Sequence, residues 1–208
     1  YNVTEFVLVE IVRPDGTVVP VDIAANSQVM TEREQMEANI YNPNSKYLNV
    51  SIPGLEVGDT VHYLIHDEFQ HPRVPGTFAE YTCFEGTAPI LRSEMTVAGP
   101  ESLPLQHVML KSEIEDSVVH TEQRDNGLII HNWVAEYVDQ AFPEPEMPPF
   151  YTQCQRLMVS TIQDWEWLSR WYYDLSEPHI AAQTPEMEAK TRELVAGVDD
   201  PLDQIWAV

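Results

Sequence analysis

The chain opens on a run in which apolar and polar side chains interleave. In "NVTEFVLVEIV", residues 2–12, β-branched and aromatic residues dominate, which is the pattern of a half-buried strand. Arg13-Pro14-Asp15-Gly16 follows as a turn signal, and "TVVPVDIAA" then predicts the return strand of a hairpin. Pro20 lacks the N–H that a central ladder needs, so that second strand belongs at an edge or a bulge. "KYLNVSI" alternates with Leu48, Val50 and Ile52 on one face. Pro53-Gly54 and Gly58-Asp59 punctuate the turn into another strand, "TVHYLIHDEFQ". Further strands are predicted over 77–84, 88–98, 105–111, 114–123 and 127–138, with Asp125-Asn126-Gly127 marking the clearest tight hairpin.

So many short strands without intervening helices predict a mostly β fold, an antiparallel β-sandwich over residues 1–160. "FPEPEMPPF", Phe142 to Phe150, favours extended polyproline geometry and reads as a strap or a long ordered loop. After Arg156 the period changes. "RLMVSTI" is a last strand, and Ser160 or Thr161 can cap a helix, Ser160 with Gln163 at capping-box spacing. Trp165, Leu168, Tyr172 and Leu175 then form an apolar stripe, widened by Trp167 and Trp171, and Glu177-Pro178 is expected to end the helix. A second helix is predicted from Thr184-Pro185 to Gly197. A third starts at Asp200-Pro201 and puts Leu202, Ile205 and Trp206 on one face. Residues 161–208 are thus expected to form a C-terminal helical extension.

Composition narrows the function. Eleven Lys and Arg against 34 Asp and Glu give a net charge of −23, which opposes binding to nucleic acid and to anionic lipid headgroups. No apolar run approaches the roughly 20 residues of a membrane span, and no Asp-x-Asp-x-Asp-Gly calcium loop occurs. Cys83 and Cys154 are too few for a disulfide scaffold or a structural zinc site. They either pair across the fold in an oxidising compartment or serve as packing residues. His62 and His66, on a regular strand, stand about 13 Å apart and cannot share one metal. His107, His120, His131 and His179 read as scattered, singly placed histidines. Among the aromatics, Trp133, Tyr137, Tyr172 and Tyr173, with Trp165, Trp167 and Trp171, are expected in a core beneath the first long helix. The residues predict no cofactor and no metal, and no nucleophile paired with a base.

Three stretches, "NVSIPGLEVGDTVHY", "RLMVSTIQDWEWLSRWYYDL" and "PEMEAKTRELVAGVDDPLDQIWAV", occur in an order and at distances that carry a resemblance. Together they resemble a bacterial domain of unknown function, family three-eight-five-seven, which precedes transglutaminase-like cores. The last stretch is similar to the opening helices of such a core, so the resemblance implies that the helix from Pro201 begins a domain whose remainder lies outside this chain. Leaving Leu202, Ile205 and Trp206 in water forgoes about 1.5–3 kcal/mol each. What the resemblance implies is a non-catalytic N-terminal module of a transglutaminase-like, cysteine peptidase-type envelope protein, periplasmic, cell-surface or secreted. Its partner would be a C-terminal transglutaminase-like domain in cis, and it would help position a protein or glycan substrate. Trp167, Trp171, Leu202, Ile205 and Trp206 are the candidate contacts with that domain. No catalytic residue carries over, because neither Cys83 nor Cys154 opens a helix as the family nucleophile does. The competing expectation is a self-contained carbohydrate-binding or adhesion sandwich whose helices cap the fold.

Overall fold

A computed structural model describes residues 2–31, 42, 44–112 and 117–208. The fold is mostly β, with antiparallel sheets and a few short helices, and it divides into two compact units, Tyr1–Gly76 and Thr77–Val208.

In the first unit, β1 (Asn2–Val12) lies between β2 (Val18–Pro20) and β5 (Thr60–Phe69). Val9 and Ile11 alternate inward and are buried, opposite Tyr63 and Val61 of β5. The register shifts between Phe6 and Leu8, an irregularity that leaves Val7 in solvent. Gly16, at φ +84°, closes the β1–β2 turn through its N–H to the Arg13 carbonyl, 2.9 Å. The second strand of the hairpin is shorter than its pattern predicts. It stops at Pro20, on the sheet edge, because the Asp22 carboxylate accepts the Ala25 N–H at 3.1 Å and starts a one-turn helix, α1 (Ile23–Asn26). A strand not foreseen, β3 (Ser27–Thr31), pairs with the expected β4 (Lys46–Val50).

The Pro-Gly-Leu and Gly-Asp stretch between β4 and β5 has a visible structural task. Gly54 and Gly58 take positive φ values of 75° and 98°, which only glycine adopts cheaply. Asp59, with a side chain only 2% exposed, accepts from Arg13 Nη1 and from the Glu56 N–H at 2.7 Å. Arg13 Nη2 donates to the Gly54 carbonyl at 3.1 Å. One guanidinium thus ties this loop to the β1–β2 turn.

The second unit holds two three-stranded sheets. One orders β7 (Ile90–Pro100), β10 (Leu128–Val138) and β9 (Val119–Asp125); the other orders β6 (Ala79–Cys83), β11 (Arg156–Ser160) and β8 (Gln106–Leu110). The expected Asp125-Asn126-Gly127 hairpin is present, with φ of 49° at Asn126 and 80° at Gly127, as a twist-matched two-residue turn requires. Of the strand expected over 114–123, residues 114–116 lie outside the described residues. Trp133 and Ala135 of β10 and Leu157 and Val159 of β11 share one buried cluster with Phe84, so the core lies between the two sheets. The Pro-rich crossing carries only a single 3₁₀ turn, Phe150–Thr152, and is held at its start by Ala141 N–H to the Gly86 carbonyl, 2.9 Å.

Three helices follow: α2 (Trp165–Ala181), α3 (Pro185–Leu194) and α4 (Pro201–Ala207). The cap of α2 is Asp164, whose carboxylate accepts the Trp167 N–H at 2.7 Å, not Ser160 or Thr161. Those two hydroxyls are engaged elsewhere: Ser160 Oγ accepts from Ile162 N–H, and Thr161 Oγ accepts from Phe78 N–H. Pro178 does not end α2. The helix runs through it to Ala181, losing one intrahelical donor in an exposed final turn. Thr184 and Asp200 cap α3 and α4 as their sequences predict. No helix among the described residues is long and apolar enough to cross a membrane.

Candidate functional site

Three of the four histidines that read as scattered come together, and His179 stays apart on α2. His107 of β8, His120 of β9 and His131 of β10 meet against the indole of Trp133. The ring centroids of His107 and His120 are 4.8 Å apart, and those of His120 and His131 are 5.4 Å apart and nearly parallel. His120 also stacks on Trp133 at 4.6 Å, with planes 11° apart, while His107 meets the indole edge-on at 5.3 Å. His120 Nε2 and His131 Nδ1 are 3.2 Å apart, a hydrogen bond in which one ring donates and the other accepts. His131 is buried, whereas His107 and His120 form the exposed end of the stack.

Two of these three positions were within reach of the sequence. The Asn126-Gly127 turn pairs Leu128 with Asp125, and counting outward puts Trp133 opposite His120 and His131 opposite Glu122. Strand alternation then sets His120, Glu122, His131 and Trp133 on one face. His107 could not be found that way. It pairs with Val159 in the other sheet and reaches the stack only because the sheets pack face to face.

Crowding by rings shapes the chemistry of the stack. Burial lowers the His107 pKa below its ordinary value and the neighbouring His131 adds to this, while Glu122 opposes both. Burial lowers His120 as well, reinforced by His107 and His131 and again opposed by Glu122. His107 and His120 are therefore biased to the neutral form. Among the described residues no group of three or more His, Cys, Asp or Glu side chains is arranged to hold a metal ion. His62 and His66 are each committed elsewhere, to Glu10 at 2.7 Å and Glu5 at 3.2 Å, as directly opposed pairs on β1 and β5.

Two cavities touch the stack. One, of about 430 Å³, reaches His131 among Phe78, Val97, Leu105 and Ile129. The other, a groove of about 600 Å³, reaches His107 and runs against β6, β11, β8 and the start of α2. Tyr81, Val108 and Met158, neighbours across three strands, and Trp165 and Leu168 of α2 give it an apolar lining.

The five candidate contact residues fall into two sets. Trp167 and Trp171 are half-buried on the side of α2 that also covers Leu168; the stripe predicted to be core is not, since Trp165 is 84% exposed. On α4, Leu202, Ile205 and Trp206 are 67%, 72% and 87% exposed. No residue of α2, α3 or α4 is buried, so the aromatic set divides: Trp133 is core, Tyr137 faces solvent, and the α2 aromatics line a surface. Cys83 and Cys154 are joined in a disulfide, with Cα atoms 6.1 Å apart, inside the range such a bridge needs.

Comparison with known proteins agrees with this architecture. No curated protein matches the chain. The whole chain superposes on a crystal structure described as a "putative protease" from Parabacteroides distasonis ATCC 8503, with a TM-score of 0.75 and 19% identity. At that identity the likeness is one of fold, and this chain spans 39% of the length of that one. The model of a family described as a domain of unknown function, DUF3857, matches residues 1–139, a span that holds the Pro-Gly-Leu and Gly-Asp turn and ends before the Trp-rich helix. By that match over most of its length, the chain belongs to the DUF3857 family.

Proposed function

We propose that the chain is the non-catalytic β-sandwich module of a larger transglutaminase-like, cysteine peptidase-type protein, and that α2–α4 form its docking ledge for the catalytic core. The observation that carries this reading is the bare face of α4, where Leu202, Ile205 and Trp206 all stand in solvent. Burying the three would return about 1.5–3 kcal/mol each, a strong drive toward a covering surface. The fold likeness to a protein of which this chain spans 39%, itself described as a protease, supports the reading. So does the disulfide, which takes both cysteines out of consideration as nucleophiles and fits an oxidising compartment such as the periplasm or cell surface.

The test compares two contexts. Trp206→Ala in this chain alone removes an exposed side chain and shifts stability by less than about 0.5 kcal/mol. In the full-length protein the same change removes a buried indole and costs roughly 3–5 kcal/mol. Equal, small effects in both contexts defeat the docking reading. The second reading, a glycan-binding sandwich, draws on the exposed Tyr81 and Trp165 rings at the groove, since such faces stack on sugars. Glycan-array binding that Tyr81→Ala and Trp165→Ala abolish would favour it.

A further inference from the structure

We propose that the His107–His120–His131 stack is a proton-sensitive clasp holding the two sheets of the second unit together. His107 is the only one of the three that belongs to the β6–β11–β8 sheet. Its ring lies within 4.8–5.9 Å of His120, His131 and Trp133 of the other sheet, so it bridges the gap between them. Neutral rings stack there as aromatic plates. A proton on any of them places a cation among two other imidazoles and an apolar wall.

The surroundings offer little to balance that charge. Facing the stack from β7 are Met95 and Val97, the partners of Trp133 and His131. β11 presents Val159 and Leu157, and β8 itself adds Met109. β9 contributes Val118 just before it and, in register with His131, Glu122. Glu122 is shared with Arg124 at 3.5 Å, which lowers its value as a counter-ion. From β6 comes Glu80, separated from His107 by Val159, its carboxylate already accepting the Tyr81 N–H at 2.9 Å. Two partly committed carboxylates face three imidazoles.

The sign follows from which state takes protons more readily. With His107 and His120 depressed in the fold, the unfolded chain protonates first as acid is added. The clasp is therefore fully effective above the ordinary imidazole pKa of about 6.5 and weakens as pH falls through and below it. That window lies above the range in which ordinary carboxylates titrate, so the two effects separate.

The experiment is urea unfolding of this chain between pH 7.5 and 5.0, followed by tryptophan fluorescence, to which the buried Trp133 contributes, with His107→Phe/His120→Phe as the variant that keeps ring packing but cannot take a proton. The unaltered chain is expected to lose folding stability progressively between pH 7.5 and 5.5, and the double variant to lose little over the same interval. His179→Gln, a solvent-exposed control on α2, should leave the profile as it was. Identical pH profiles for the unaltered chain and the double variant overturn the clasp. Should the double variant not fold, NMR titration of the unaltered chain decides. Imidazole signals of His107 and His120 moving together below the ordinary midpoint sustain the proposal, and independent titration at the ordinary value ends it.

Discussion

The disulfide between Cys83 and Cys154 allows the sharpest quantitative test. The bridge closes a loop with a sequence separation of 71 residues and spans from the end of β6 to a position two residues before β11 begins. Loop-closure entropy for a ring of that size corresponds to about 4 kcal/mol of stabilisation, because the reduced unfolded chain explores many conformations that the bridged one cannot. Removing the bridge should thus lower the unfolding free energy of the second unit by about 4 kcal/mol. That corresponds to roughly 10–15 °C in melting temperature, or about 2 M in urea midpoint at an ordinary denaturant slope. Tryptophan fluorescence reports on the right part of the molecule, since all five tryptophans lie beyond Gly76 and Trp133 is fully buried. Two perturbations separate loop closure from packing. Reduction of the unaltered chain leaves both sulfur atoms in place, whereas Cys83→Ala/Cys154→Ala also removes a buried side chain. Agreement between them within about 1 kcal/mol assigns the loss to the bridge. Two titratable thiols in the folded, unreduced chain, or a loss under about 1 kcal/mol on reduction, would refute the reasoning.

Two further expectations concern single residues. Arg13→Ala strands the buried Asp59 carboxylate and should destabilise the first unit by roughly 3 kcal/mol or more, while Asp59→Ala, which leaves the guanidinium, 26% exposed, able to reach water, costs less; hydrogen exchange of the β1 and β5 amides reads both. Asp164→Ala should weaken the start of α2 by about 1 kcal/mol in far-ultraviolet circular dichroism melts, and Ser160→Ala should leave the helix start unchanged, because only the former accepts the Trp167 N–H.

Local signals were the legible ones. The Asn-Gly hairpin, the Asp200-Pro201 start of α4 and the Thr184 cap each rest on residues within a few positions of one another, and each stands in the structure where its pattern put it. Misreadings arose where local signals competed. Asp164, Ser160 and Thr161 are all able caps, but Ser160 accepts from the Ile162 N–H and Thr161 from the Phe78 N–H, 83 positions away, so the helix start falls to Asp164. Pro178 is a strong breaker, yet it falls in the last turn of a helix that no buried contact constrains. β3 has no local signature, because its partner β4 lies well downstream and no tight-turn signal joins the two. The histidine stack was hidden for a different reason: His107 joins it through the packing of one sheet on another, a distance in space that no spacing along the chain encodes.

The covalent tie has a consequence for damage as well as for folding. The exposed proline-rich crossing from Phe142 to Phe150 sits inside the ring that Cys83 and Cys154 close. A protease that severed it would open a circle, not detach a fragment. Both pieces would travel as one molecule on a gel without reductant and come apart only when thiol was added. A scar of this kind can be borne for as long as the surroundings stay oxidising.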